Sequence, residues 1–513
     1  MSRASVHTNA AIFGDLKQGA DTREAGDRTK EYASASLKVA ILGDFSGRAS
    51  RQQCAPESIA SRPAYRLRKD NFEQLFERMQ VGLQLPLMDD PLWLMEFDDL
   101  HPDYLYNRVP LFRQFIELEK QLLTPSEFDR AASEIQQWRP DLGPLSGAAP
   151  GTSAQSSFQS SSQSMLDAIL SGQHYQALQR ESAGGQIDQL IKDIVAPYVQ
   201  QKPDANQDVY LQAVAQAASE AMRKIMHHSD FRQLEASWRS LHLLLRRLED
   251  HPGLELHLID ITKAEILADL AQAESDLENS QLFKCLVTRE AIAGSQPYNL
   301  IVGDFYIADE ERDLHMLIDL ATMAEAAGSA MVMGGDSRLA GCTSLAGSMD
   351  PDDWHYPLAE DFAESWQAVR DYPACEHLAL AAPRFMLRLP YGAETARTED
   401  FAFEELTPEL GHQYYLWGNS AYLLALSLCR EFVTNGKASP VTADQFADLP
   451  LHLRNLPQGQ WMTPCAEALM TDRGAARFQA AGISTLRSVQ GRDEILLPKL
   501  QSLSGAMLKG PWC

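Results

Sequence analysis

Apolar and polar residues change rhythm several times along this chain. The first clear apolar run, Leu37–Leu42, ends in Gly43, Asp44, Phe45, Ser46 and Gly47. Such a run, closed by a glycine turn, reads as a buried strand leaving its sheet. The pattern returns at Leu300–Val302, which runs into Gly303, Asp304 and Phe305. Residues 81–87 and 92–100 have strand character. In residues 109–123, Leu111, Phe115, Leu118 and Leu122 share one helical face, and Pro110 suits the first turn, where its missing N–H costs nothing.

Helical periodicity dominates the middle of the chain. Residues 164–172 form a short amphipathic segment, and 186–199 stay helical as far as Pro197. Residues 209–250 predict two helices broken near Ser229, with Asp230 and Gln233 read as a capping box. In the second helix Leu234, Trp238, Leu241, Leu245 and Leu248 form one stripe, while Arg232, Glu235, Arg239 and Arg246 fall on a face expected to be more solvated. From Leu254 the rhythm becomes strand–helix–strand. Strands are expected at 254–261, 282–289, 298–305 and 330–335, helices at 264–278 and 315–329, then a helix at 364–370 and strand character in 377–392. Residues 411–433 read as the last long helix. This alternation predicts an α/β fold built in layers.

Composition adds boundaries. Residues 1–36 are polar and expected to be disordered. A compact block follows at 37–138, and 139–164, rich in Gly, Pro, Ser, Ala and Gln, reads as a flexible linker. Residues 165–253 form the helical region and 254–513 the α/β region. The formal charge of −25 opposes binding to nucleic-acid backbones and to anionic membrane surfaces. No signal peptide is expected, and no run of about 18 apolar residues predicts a membrane span; Ala421–Cys429 is too short. The seven cysteines, at 54, 285, 342, 375, 429, 465 and 513, include no C-x-x-C pair and read as free thiols of a reducing cytosol.

The glycine turns invite a nucleotide-site reading, which the residues oppose. A phosphate loop of the G-x-x-x-x-G-K-S/T type needs Lys and a hydroxyl; Gly43 and Gly47 lack both, and Gly436-Lys437 is followed by Ala438. G-x-G-x-x-G and G-x-S-x-G are absent. Asp44 and Asp304 place an anion where a phosphate belongs. The glycine-rich stretch 327–341 reads as a tight turn after a strand. His227 and His228 are adjacent, so on a helix they point about 100° apart and chelate poorly. Met316, Met323, Met331 and Met333 read as core. The acidic pairs Asp98-Asp99 and Glu404-Glu405 have nothing in the sequence that brings them to a pocket. No cofactor, metal or catalytic residue is expected.

The longer motifs carry a resemblance. Block 37–138, through Lys38–Arg48 (KVAILGDFSGR), 70–85 and 94–118, resembles the small sheath subunit of bacterial type VI secretion systems, the TssB (VipA) family. The chain from about 164 resembles the large sheath subunit, TssC (VipB). This likeness rests on 228–249, 298–307, 382–392, 401–406 and 414–425, and its motif residues include Trp238, Gly303, Asp304, Phe305, Pro383, Arg384, Arg388, Pro390, Tyr391, Gly392, Trp417, Gly418 and Asn419. The resemblance implies two sheath-type halves fused in one chain, a non-catalytic role and a bacterial cytoplasmic location. It implies as partners other sheath subunits or further copies of the chain, with the inner tube, the baseplate and the recycling AAA+ ATPase ClpV beyond them. By the same resemblance the segment with Met165, Leu166, Ile169 and Leu170 on its apolar side is the candidate ClpV-recognition helix. The large subunits extend several dozen residues past the equivalent of 496–505, into strands that interlock neighbours, and glycine-tryptophan after the last long helix is replaced here near Gly436. Two versions therefore stay open, a sheath building block and a specialised cap or adaptor that does not polymerise. A nucleotide-binding α/β enzyme is the rival class.

Overall fold

The computed structural model describes residues 36–131 and 207–512, apart from 125, 129, 274–275, 408–409, 441–442 and 457–458. The expected disordered start, the linker at 139–164, the helix carrying Met165, Leu166, Ile169 and Leu170, and the helical stretch 186–199 lie outside the described residues.

The first block supplies strands β1 (Leu37–Gly43), β2 (Tyr65–Leu67), β3 (Gly82–Leu83) and β4 (Leu92–Trp93), and helices α1 (Phe72–Arg78), α2 (Pro102–Arg108) and α3 (Arg113–Leu123). The rest opens on two long helices, α4 (Gln207–Met226) and α5 (Ser229–Arg247). Then come β5 (Leu254–Asp260), α6 (Lys263–Ala273) and α7, which runs through Gln281–Phe283, a π turn at Lys284–Thr288 and Arg289–Ala293. They are followed by β6 (Leu300–Ile307), α8 (Glu311–Ala327), β7 (Ala330–Gly335), α9 (Glu360–Asp371) and β8 (Leu378–Ala382). Short strands β9 (Phe385–Met386) and β10 (Trp417–Gly418) precede α10 (Ala421–Asn435). The last part holds β11 (Asp444–Phe446), β12 (His452–Leu456), β13 (Gly459–Thr463), α11 (Asp472–Ala480), β14 (Ile483–Thr485), β15 (Arg487–Ser488) and β16 (Ile495–Leu497).

Seven of these strands make one sheet in the order β14-β8-β7-β6-β1-β5-β2, parallel except for β2 at its edge. Strand β1 of the first block thus sits between two strands of the second, and β2 of the same block forms the edge beyond β5. Leu37 to Gly43 pair with Leu254 to Asp260 on one side, and Val39 to Leu42 pair with Leu300 to Gly303 on the other. The central strands are apolar nearly throughout, because a parallel sheet is covered on both faces. Val39, Ile41, Leu258, Leu300 and Val302 pack under α1, α5 and α10. Ala40, Leu42, Ile301, Met331, Met333 and Leu380 pack under α6, α8, α9 and α11. The result is a three-layer α/β/α body, and Met316, Met323, Met331 and Met333 are all part of its core.

Several local readings change. Residues 282–289 are helical: Leu282, Cys285 and Leu286 are buried at i, i+3 and i+4, a helical spacing masked by a short apolar run. The cap of α5 is His228, whose ring accepts from the backbone N–H of Asp230 at 3.3 Å, rather than Asp230 itself. In 411–433 the helix begins only at Ala421, because Trp417-Gly418 is held in β10 against β9. The strand character of 81–87 and 92–100 shrinks to the β3–β4 pair followed by a tight turn at Phe97–Leu100. In 377–392 it shrinks to β8 and β9.

Candidate assembly interface

The seam between the first block and the rest begins where β1 ends. Gly43 sits so close to its neighbours that a Cβ would stand 2.9 Å from Phe45 Cζ and 3.0 Å from Asp304 Cβ. The chain then turns, with Gly47 at φ +74°. Asp44 accepts hydrogen bonds from the backbone N–H groups of Arg48 (2.8 Å) and Ala49 (2.9 Å), a side-chain closure typical of such turns. Burial, then the neighbouring Asp260 carboxylate, push Asp44 up to about 6. Asp260, at the end of β5, reaches back across the seam. It accepts from the backbone N–H of Phe45 and Ser46 and from the Ser46 hydroxyl, at 2.8–3.1 Å. Arg48 donates to the Asp260 carbonyl at 3.0 Å.

Phe45 turns into the core, where α5 meets it. Trp238 donates its indole N–H to the Phe45 carbonyl at 2.8 Å, and the two rings stand edge to face 6.2 Å apart. Phe72 and Phe76 of α1 close around the same indole. The buried Glu265 of α6 receives Arg62 from the first block through both guanidinium arms. Farther along the seam, Asp103 of α2 accepts from the backbone N–H groups of Glu399 (2.9 Å) and Asp400 (3.1 Å). Tyr106 stacks on Phe401 at 4.3 Å. Strand pairing, aromatic packing and buried ion pairs therefore all cross between the two blocks.

A second cluster ties α5 to the segment after β9. The Arg388 guanidinium bridges Glu235 (2.7 and 3.0 Å) and Glu405 (2.6 and 3.0 Å), and lies 4.3 Å over the Tyr391 ring. Arg239 adds a bond to Glu235 at 2.6 Å and one to the Tyr391 hydroxyl at 3.0 Å. Burial raises Glu235, but Arg388 and Arg239 outweigh it and draw the carboxyl down to about 2. Burial also works against the charge of Arg388, which Glu235 and Glu405 nonetheless hold firmly protonated. Glu235, expected on the solvated face, is fully buried, because the sequence does not show that an arginine 153 residues away meets it.

The remaining motif residues act locally. Arg384 pairs with Glu467. Pro383 and Pro390 offer carbonyls to Ser420 and Thr395. A Cβ on Gly392 would stand 2.4 Å from Glu404 Oε2, and one on Gly418 would stand 2.8 Å from Leu387 Cγ. Trp417 donates to the His412 carbonyl at 3.0 Å. Asn419, just before α10, accepts from the backbone N–H of Ala421 at 3.0 Å and donates to the carbonyl of Phe305 at 3.1 Å. Phe305 packs on the opposite face of the sheet from Phe45. Gly303 lies against Phe305 and Met333.

In the acidic pairs one member is buried and structural. Asp99 accepts from the backbone of Met95 and Glu96, and Glu405 belongs to the Arg388 cluster, while Asp98 and Glu404 are exposed. His227, packed against the tilted Tyr414 ring at 4.7 Å, is driven down to about 3 by burial and then by Arg232. Among the described residues no group of three or more His, Cys, Asp or Glu side chains is placed to hold a metal. No helix among them is long and apolar enough to cross a membrane. The residues that sequence reasoning missed, Asp260, Glu265, Asp103 and Glu467, are acids whose partners lie far away in the chain.

Residues 208–504 match the family model described as VipB: EvpB/VC_A0108, tail sheath N-terminal domain. The chain is also similar to the type VI secretion system sheath protein TssC1 of Pseudomonas aeruginosa, with 30% identity over 286 residues, or 54% of this chain and 57% of that protein. The chain thus spans little more than half the length of that curated relative.

Proposed function

The chain belongs to the VipB tail sheath family, and from that premise we propose that it is a structural component of a type VI secretion sheath in the bacterial cytoplasm. Its first block, 37–138, acts as the small TssB-like subunit in cis. It works by packing and by binding other sheath subunits or copies of itself, without bond chemistry. The inner tube and the baseplate are its further partners.

The observation that carries this reading is the position of β1 between β5 and β6. Removing it would open two unpaired edges in the middle of a parallel sheet, a costly and aggregation-prone state. Joining the two blocks in one chain raises the effective concentration of β1 for its slot far above that of a separate subunit. The turn after β1 supports the absence of nucleotide chemistry. The Asp44 carboxylate occupies the backbone N–H groups of Arg48 and Ala49, the kind of donors a phosphate would need.

Electron microscopy of the purified chain, alone and mixed with ordinary sheath subunits, tests the role. Tubes or decorated tube ends support it, and the absence of both would overturn it. The segment with Met165, Leu166, Ile169 and Leu170 is the proposed docking helix for ClpV. Replacing Leu166 and Ile169 by Glu should abolish capture of the chain by ClpV; undiminished capture would refute that assignment.

A further inference from the structure

Asp304 differs from every other buried acid of the seam in having no committed partner. It leaves β6 toward α5 and α10, and β1 closes it from the side, where Gly43 leaves room for no more than hydrogen. The hydroxyls of Ser237 on α5 and Tyr422 on α10, and the amide of Asn419 just before α10, lie within donating reach of its carboxylate and oppose the effect of burial, but none meets Oδ2 in hydrogen-bonding geometry. The Ser237 hydroxyl already donates to the Gln233 carbonyl at 2.9 Å. The Asn419 amide donates to the Phe305 carbonyl at 3.1 Å. Tyr422 Oη is itself buried without a partner. The other titratable group at hand is Tyr306 of the same strand, which brings no positive charge. No Lys, Arg or His is among the groups that act on Asp304.

We infer that Asp304 is a proton-sensitive latch at the junction of β1, β6, α5 and α10, seated in the core when neutral and loosening that junction when ionised. A neutral carboxyl carries one donor of its own and suits a buried site whose uncommitted neighbour is the Tyr422 hydroxyl, whereas a carboxylate is charged and acceptor-only and has no cation beside it. Burial moves the group in the same direction, from 3.8 up to about 6. The sign follows. The folded state holds the proton more tightly than the unfolded chain. The stability linked to that proton is complete below pH 3.8 and is lost as pH rises through about 6. Asp44 titrates in the same range on the opposite side of the turn, so total stability alone does not isolate the latch.

The difference between the full chain and its Asp304→Asn variant does isolate it. Urea unfolding at a series of pH values from about 4 to about 7.5 should show the variant gaining on the wild type as pH rises, by about a hundredfold in the folding equilibrium constant. A difference that does not change with pH overturns the latch. Should the Asn variant fail to fold, infrared spectra of the Asp44→Asn chain with ¹³C-labelled aspartate give a second reading. A protonated carboxyl band should be present near pH 5 and lost by about pH 7; its absence near pH 5 overturns the proposal. Hydrogen exchange in residues 300–307 and 421–428, corrected for intrinsic pH dependence, should quicken above about pH 6 in the wild type. Exchange that stays level across that range contradicts the loosening.

Discussion

The tripeptide Gly-Asp-Phe occurs twice on neighbouring parallel strands, with Leu42 of β1 beside Gly303 of β6. After β1 it is the exit from the sheet, as the sequence pattern suggests, whereas in β6 it lies within the strand, which runs on to Ile307 past an irregularity between Gly303 and Tyr306. Their acids nevertheless have opposite fates. Asp44 is tied to two backbone N–H groups and stands opposite Asp260. Asp304 is sealed under two helices with one oxygen unpaired. Their aromatic residues also part, Phe45 going under α5 and Phe305 to the other face. A repeated motif here marks neither a repeated strand exit nor a repeated function, since Gly43 ends β1 while Gly303 lies inside β6. The glycines serve close approach of neighbouring side chains, and the surroundings decide what each acid does.

Four substitutions would break or sharpen this contrast. The largest effect is expected from Glu235→Ala, which strips a buried partner from Arg388 and loosens α5, the helix that packs against both tripeptides. Urea denaturation should show a loss of about 3–5 kcal/mol; a change below about 1 kcal/mol would mean that the cluster contributes little. Next comes Gly43→Ala, which forces a methyl group against Phe45 and Asp304 and so disturbs both tripeptides together, at about 1–3 kcal/mol. Trp238→Phe separates them. It removes the bond to the Phe45 carbonyl, costing about 1–2 kcal/mol, and should leave the pH-dependent difference between Asp304 and its Asn variant intact. The smallest effect belongs to Asp44→Asn, which keeps one acceptor for the turn and removes the repulsion from Asp260. Stability at neutral pH should stay within about 1 kcal/mol of the wild type, and a larger loss would show that the turn needs both carboxylate oxygens.

Much of the layered fold was legible because parallel strands buried on both faces announce themselves as apolar runs, as Leu37–Leu42, Leu300–Val302 and Ala330–Met333 do. The helix stripe of Leu234, Trp238, Leu241 and Leu245 was legible for the same reason. Strand order was not, since nothing local in Leu37–Gly43 says that its neighbours are 254–260 and 300–307. The helix at 281–293 was hidden by a run too short for periodicity to separate helix from strand. Buried charge was the least legible feature. Glu235 looked solvated because its partner Arg388 belongs to a distant loop, and the roles of Asp103 and Asp260 depend on backbone N–H groups from the other block.

The central claim is that the first block is an inseparable part of the sheet and stands in for a separate small subunit. A protease site placed within residues 139–164 of the full chain tests it directly. After cleavage, the two pieces should elute together in native gel filtration and part only in denaturant, because β1 is held on both edges and the seam is closed by Trp238, Asp260 and Glu265. Pieces that separate under native conditions, each still folded, would contradict the account.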